Sequence, residues 1–203
     1  MIRLQEDPMN MIICGVGGQG NILLSRMIGR ILIRKDYRVD IGESFGAAQR
    51  GGSVFSSLRV SRKKNHGPLI PEGRAQVIVS LEPLEALRML SFYGNPEVTT
   101  IFNTQPVYPV GVLSKRVKYP DLERLKTAIA QLSQKSWSLN AVEMAMRLKA
   151  PIVANIIMLG ALTGTGTVPI NLDEVKAEIV SSLPPNRVEL NLKALNMGYE
   201  AIG

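Results

Sequence analysis

Apolar residues run almost unbroken from Met9–Val16 and stop at a cluster of glycines, the pattern of a strand buried on both faces of a parallel sheet. From residue 19 to 35 the period changes. Ile22, Leu23, Met27, Ile28, Ile31 and Leu32 recur at helical spacing, while Arg26, Arg30 and Arg34 mark a solvent side. Residues 37–44 alternate Val39 and Ile41 with polar positions, which predicts a second strand entered through a right-handed β-α-β crossover. Further strands are predicted over 53–60, 76–81 and 98–102, with a short helix over 83–90 that carries proline in its first turn. Helical spacing returns over 120–132, 140–149, 152–162, 172–181 and 188–201, with Asp173 and Glu174 suited to a first turn. Strands alternating with helices predict an α/β chain built on a single doubly wound, mostly parallel, Rossmann-like sheet flanked by helices.

The glycine cluster is the first element with chemistry in it. Gly15-Val16-Gly17-Gly18-Gln19-Gly20 satisfies the G-x-G-x-x-G pattern, with a predicted strand before it and a helix after it. Glycines there permit a tight turn and close backbone approach, so the following helix can aim unpaired N–H groups at a phosphate or carboxylate. A tight strand-helix turn without a ligand satisfies the same pattern. A dinucleotide site would place an acidic residue near the end of the second strand, and Asp40 or Glu43 stands there. A second glycine cluster, residues 42–53, follows that strand and would lie beside the first loop at the carboxyl edge of the sheet. Within it Arg50 presents a rigid fork of donors suited to an anion or a partner carboxylate.

Composition narrows the classes. The 203 residues are 45% hydrophobic and 20% charged, and no linker-like stretch divides them, which predicts one domain over 1–203. Asn155 interrupts the longest apolar run, which falls short of the ~18 residues a membrane span needs. The first ten residues lack the apolar stretch of a signal peptide, so a cytoplasmic location is expected. Cys14 is the only cysteine and His66 the only histidine, which excludes an intrachain disulfide, a four-cysteine iron–sulfur site and a Cys/His nucleophile. No catalytic or metal-ligating set remains. His66 falls in a basic stretch before Gly67-Pro68 and reads as part of a turn. The net charge of +7 is scattered and aromatics are only 5%, which argues against nucleic acid and for an anionic small molecule or an acidic partner.

Taken in order, Gly17-Gly18-Gln19-Gly20, Gln49-Arg50-Gly51-Gly52-Ser53, Pro71-Glu72-Gly73 with the segment 81–87, and Asn155 ahead of the segment 158–162 resemble the gamma-type domain of the 2-oxoacid:ferredoxin oxidoreductases. The resemblance covers nearly the whole chain from Met9 onward and is nearest to the small subunit of the indolepyruvate type. It implies an enzyme complex that decarboxylates a 2-oxoacid on thiamine diphosphate, passes electrons through iron–sulfur clusters to ferredoxin and forms an acyl-coenzyme A. Thiamine diphosphate and the clusters are then expected on a larger partner subunit, and this chain is expected to contribute to coenzyme A binding and to assembly. Carried onto this sequence, the resemblance assigns Gly15, Gly17, Gly18, Gln19, Gly20 and Asn21 to the phosphate-facing loop, Gly46, Gln49, Arg50, Gly51 and Gly52 to its neighbour, and adds Asn155. The segment Gly46-Ala47-Ala48-Gln49 departs from the version common in pyruvate-type members, which favours an aryl pyruvate. Two other readings stay open, a self-sufficient NAD- or FAD-dependent oxidoreductase and a purely structural assembly subunit. The isolated chain is expected to be inactive, and to pair with itself or expose an apolar patch.

Overall fold

A computed structural model describes residue 4 and residues 6–44, 52–108, 112 and 118–202. Every position of the apolar run Met9–Val16, strand β1, is buried, and the strand lies inside the sheet with a neighbour on each side. The sheet also contains β2 (Arg38–Ser44), β3 (Ser53–Ser61), β4 (Val77–Ser80), β5 (Thr99–Asn103) and β6 (Lys135–Leu139), in the order β2-β3-β1-β4-β5-β6. β1, β4, β5 and β6 run parallel.

The predicted β-α-β unit needs one correction. β2 does not pair with β1, because β3 lies between them and is antiparallel to both, in registers Val16↔Ser53 and Ser44↔Phe55. The sheet is therefore mixed. The reason is local: only eight residues lie between Ser44 and Ser53, fewer than the dozen or so a parallel crossover takes, so the connection joins antiparallel neighbours. β6 was not anticipated. Only Trp137 and Leu139 are apolar in it, because it is the edge strand and most of its positions are exposed.

Helices cover both faces. Side chains of β1 alternate between two cores: Met9, Met11 and Ile13 enter one, Ile12 and Cys14 the other. The first core is closed by α1 (Asn21–Ile33), α4 (Ala141–Arg147), α5 (Ala154–Gly164), α6 (Leu172–Ser182) and α7 (Pro185–Glu200). The second is closed by α2 (Pro83–Tyr93) and α3 (Leu122–Gln131). α5, preceded by a 3-10 turn at Pro151–Val153, is buried from Asn155 to Thr163 and apolar on nearly all sides, as a helix wedged between other helices must be. α1 is fixed to α6 by Glu178, whose fully buried carboxylate accepts from Arg30 at 2.6 Å and from Arg34.

Among the described residues no helix is long and apolar enough to cross a membrane.

Candidate functional site

At the carboxyl end of β1 the chain turns through Gly17 and Gly18 into α1. Gly18 and Gly20 take left-handed conformations, φ +102° and +93°. Gly20 is the N-cap of α1, no side chain caps the helix and no acidic residue lies in its first turn. The first N–H groups of α1 are thus left for a ligand or for water, at the positive end of the helix dipole.

The second glycine cluster does meet the first. Gly17 N–H donates to the Gly52 carbonyl at 2.9 Å, directly before β3. Gly46, Gln49, Arg50 and Gly51 lie outside the described residues.

The loop residues divide by what surrounds them. Among the described residues, a side chain at Gly18 would meet nothing within 4 Å. Gly15 and Gly20 make room for the protein itself. A Cβ on Gly15 would lie 2.6 Å from Gln19 Oε1, and one on Gly20 would lie 2.2 Å from Asn155 Nδ2. The Gln19 amide turns inward, away from the phosphate-facing role the resemblance implies: its Oε1 accepts from Val16 N–H at 2.7 Å and its Nε2 donates to the Leu81 carbonyl at 2.9 Å. Asn155 is buried at the start of α5, where its Oδ1 accepts from Ile156 N–H at 2.8 Å, and it packs against Gly20. Asn21 donates to the Val54 carbonyl at 3.2 Å, and its buried Oδ1 has no partner among the described residues.

Two clefts flank the loop and share Gly18 and Gly20. One, of about 440 Å3, runs toward β3 between Gly17, Ile22, Phe55 and Ser56. The other, of about 480 Å3, runs toward α4 and α5 between Leu23, Val142, Ile152 and Met158. Beside them lies a cavity of about 130 Å3 containing Glu82, Glu85, Arg88 and Tyr119. Glu82 caps α2 by accepting from Glu85 N–H at 2.9 Å and also accepts from Tyr119 Oη. Ser53 donates to Glu85. Burial pushes the Glu85 carboxyl above its ordinary range despite Ser53 and Arg88, and burial likewise pushes the Tyr119 phenol up, with Glu82 adding to it. Sequence reading passed over this cluster as site chemistry; Glu82 ahead of Pro83 was its visible trace, a polar residue at a helix start.

Residues suggested for other roles are engaged elsewhere. Asp40 accepts from Asn65 at 2.8 Å and from His66 N–H at 2.7 Å, and the Asn65 hydrogen bond leads in holding it below the usual carboxylate range. Glu43 pairs with Arg26 at 3.4 Å. With β3 between β2 and β1, β2 stands one strand farther from the glycine loop than the acid-bearing strand of a dinucleotide site does. Cys14 is fully buried and its thiol is pushed up by that burial, the state of an inert core cysteine. Among the described residues no group of three His, Cys, Asp or Glu side chains could hold a metal ion.

Comparison with known proteins agrees over nearly the full length. Residues 10–201 match the family model for pyruvate ferredoxin/flavodoxin oxidoreductase. Indolepyruvate oxidoreductase subunit IorB of Archaeoglobus fulgidus is 36% identical over 191 residues, 94% of each chain. The IorB subunit of Pyrococcus horikoshii is 35% identical over 95% of each chain. The fold matches the gamma subunit of a keto/oxoacid ferredoxin oxidoreductase from Geobacter sulfurreducens, with a TM-score of 0.68 and 22% identity over 96% of this chain and 98% of that one. It also matches a 2-oxoglutarate:ferredoxin oxidoreductase from Magnetococcus marinus, seen with 2-oxoglutarate, coenzyme A and succinyl-CoA bound, with a TM-score of 0.75 and 18% identity over 98% of this chain and 31% of that one. An apolar central strand, a glycine turn into an uncapped helix and the matched span of 192 positions from 10 to 201 converge on one assignment: the chain belongs to the pyruvate ferredoxin/flavodoxin oxidoreductase family, as the small subunit of a 2-oxoacid:ferredoxin oxidoreductase.

Proposed function

We propose that this chain, acting as a single gamma-type domain in the cytoplasm, supplies a coenzyme A phosphate site and a docking surface to a complex that oxidatively decarboxylates an aryl pyruvate, with indolepyruvate the leading substrate. Thiamine diphosphate and the iron–sulfur clusters belong to a larger partner subunit, and ferredoxin accepts the electrons. The substrate assignment rests on the indolepyruvate oxidoreductase subunits that resemble the chain at 33–36% identity, against 26–28% for subunits of 2-oxoglutarate synthases.

The observation that carries the coenzyme reading is Gly18. Among the described residues nothing lies within 4 Å of a side chain placed on it, it lines both flanking clefts together with Gly20, and it precedes an uncapped helix N-terminus. Such a place suits a phosphate held by backbone N–H groups, with organic arms extending to either side. Coenzyme A has that form, and its thiol is the acceptor of the acyl group.

The test is Gly18→Val in the assembled complex. The coenzyme A KM is expected to rise tenfold or more while the complex still assembles and still reduces a viologen dye with aryl pyruvate. An unchanged KM would make the loop structural and move the coenzyme site to residues 49–52 or out of this subunit.

A further inference from the structure

Gln19 and Asn103 lie 84 positions apart, yet both donate to one acceptor. The Leu81 carbonyl, just beyond β4, receives Gln19 Nε2 at 2.9 Å and Asn103 Nδ2 at 3.1 Å. Each amide also uses its oxygen. Gln19 Oε1 holds Val16 N–H at 2.7 Å, and the 2% exposed Asn103 holds Ala141 N–H, the first of α4, at 2.9 Å. Leu81 itself is anchored, its N–H donating to the Cys14 carbonyl at 2.8 Å.

The result is a continuous chain of hydrogen bonds from Val16 through Gln19, Leu81 and Asn103 to Ala141. It crosses the carboxyl ends of β1, β4 and β5. Its two ends support the opposite walls of the larger cleft, the glycine loop at Gly18 and Gly20 on one side and Val142 on the other. Only a side chain with a donor and an acceptor on one planar group fills either position, because a carboxylate would face the Leu81 carbonyl with no hydrogen to give.

We infer that Gln19 and Asn103 are positioning residues that set the shape of the glycine loop and the width of the cleft beside it by sharing the Leu81 carbonyl. Neither needs to touch the ligand. The inference rests on the coenzyme reading above for its functional consequence, but the ordering of the loop can be measured without any ligand.

The experiment uses the assembled complex carrying Gln19→Glu, Asn103→Asp or both, and reads amide hydrogen exchange over residues 16–24 and 139–145 together with the coenzyme A KM and kcat. Each single variant is expected to speed exchange in both segments and to raise the KM about five- to tenfold, the scale of one or two lost amide hydrogen bonds, with kcat held within about twofold. The double variant is expected to be little worse than either single one, because both break the same chain. Gln19→Met, equal in length and without the amide, serves if an acidic variant fails to fold.

Unchanged exchange in either segment, or additive effects of the two substitutions, would overturn the inference. Faster exchange with an unchanged KM also overturns it when Gly18→Val does raise the KM. When Gly18→Val leaves the KM unchanged too, the coenzyme reading is what has failed, and exchange and non-additivity alone decide whether the clasp stands.

Discussion

Glycine is used in opposite ways at the carboxyl edge of the sheet and in the helix layer that covers one face. Where α5 crosses α7, a Cβ on Gly160 would lie 2.1 Å from the Leu195 carbonyl oxygen, and one on Gly198 would lie 1.9 Å from that of Ile157. Those glycines let two backbones touch. At the edge, among the described residues, a Cβ on Gly18 would have nothing within 4 Å. A glycine enclosed by protein reports packing, whereas at Gly18, beside an uncapped helix, the left-handed backbone of the turn is the constraint the structure shows.

Carboxylates repeat the contrast. Glu178 in the helix layer is buried, which by itself would raise its pKa, but hydrogen bonds from Ser182, Arg30 and Arg34 outweigh burial and hold it below its ordinary range. Glu85 at the edge is raised, because there burial outweighs Ser53 and Arg88. The helix layer is electrostatically satisfied. The edge is not.

The largest effect is expected in the helix layer. Gly198→Val should separate α5 from α7 and cost about 3 kcal/mol or more, since overpacking against backbone leaves no rotamer that escapes. Thermal melting should show a fall of roughly 6–12 °C. Gly20→Ala tests where the boundary between the regions lies. Its Cβ would strike Asn155 at a φ of +93°, so a loss of about 2 kcal/mol is expected in spite of its place in the loop motif. If Gly20→Ala melts like wild type, Asn155 yields and the loop is softer than the contact implies.

Glu178→Gln removes the charge that Arg30 and Arg34 converge on, and about 1.5 kcal/mol should be lost at pH 7. Because the folded pKa of Glu178 is depressed, its contribution is present above the unfolded value near 4.5 and disappears as pH falls through the folded one. Denaturant melts of wild type and variant should therefore converge on acidification. Gly18→Ala should cost about 1 kcal/mol, from its left-handed backbone alone. The smallest change is expected for Glu85→Gln. A raised folded pKa favours the fold fully below the unfolded value near 4.5, and that advantage is lost as pH rises through the folded pKa. Removing the charge should thus leave stability at pH 8 equal to or up to about 0.5 kcal/mol above wild type. A variant clearly less stable at pH 8 would show that the Arg88 pairing, at 3.1 Å, outweighs burial.

The element boundaries were largely legible, because β1 is a continuous apolar run and the helices carry periodic apolar faces that tertiary packing then uses. The meeting of the two glycine clusters was legible as well, through Gly17 and Gly52. What the pattern could not show depends on distant residues. The inward turn of Gln19 is decided by Leu81 and the role of Asn103 by Ala141, contacts spanning 62 and 38 positions. The antiparallel insertion of β3 was readable in principle from the shortness of the connection between Ser44 and Ser53. Lys135–Leu139 was not, since an edge strand with exposed positions has little need of alternation.

The insertion of β3 has a consequence for how the subunit can diversify. Since β2 ends and β3 begins at the carboxyl edge, with Ser53 opposite Val16 and Ser44 opposite Phe55, residues 45–51 join two strands whose register is set elsewhere. A change of length between Ser44 and Ser53 would thus leave the pairing of β1 with β3 and β4 unaltered. The strands beneath the glycine loop are in that sense insulated from variation in their hairpin connection.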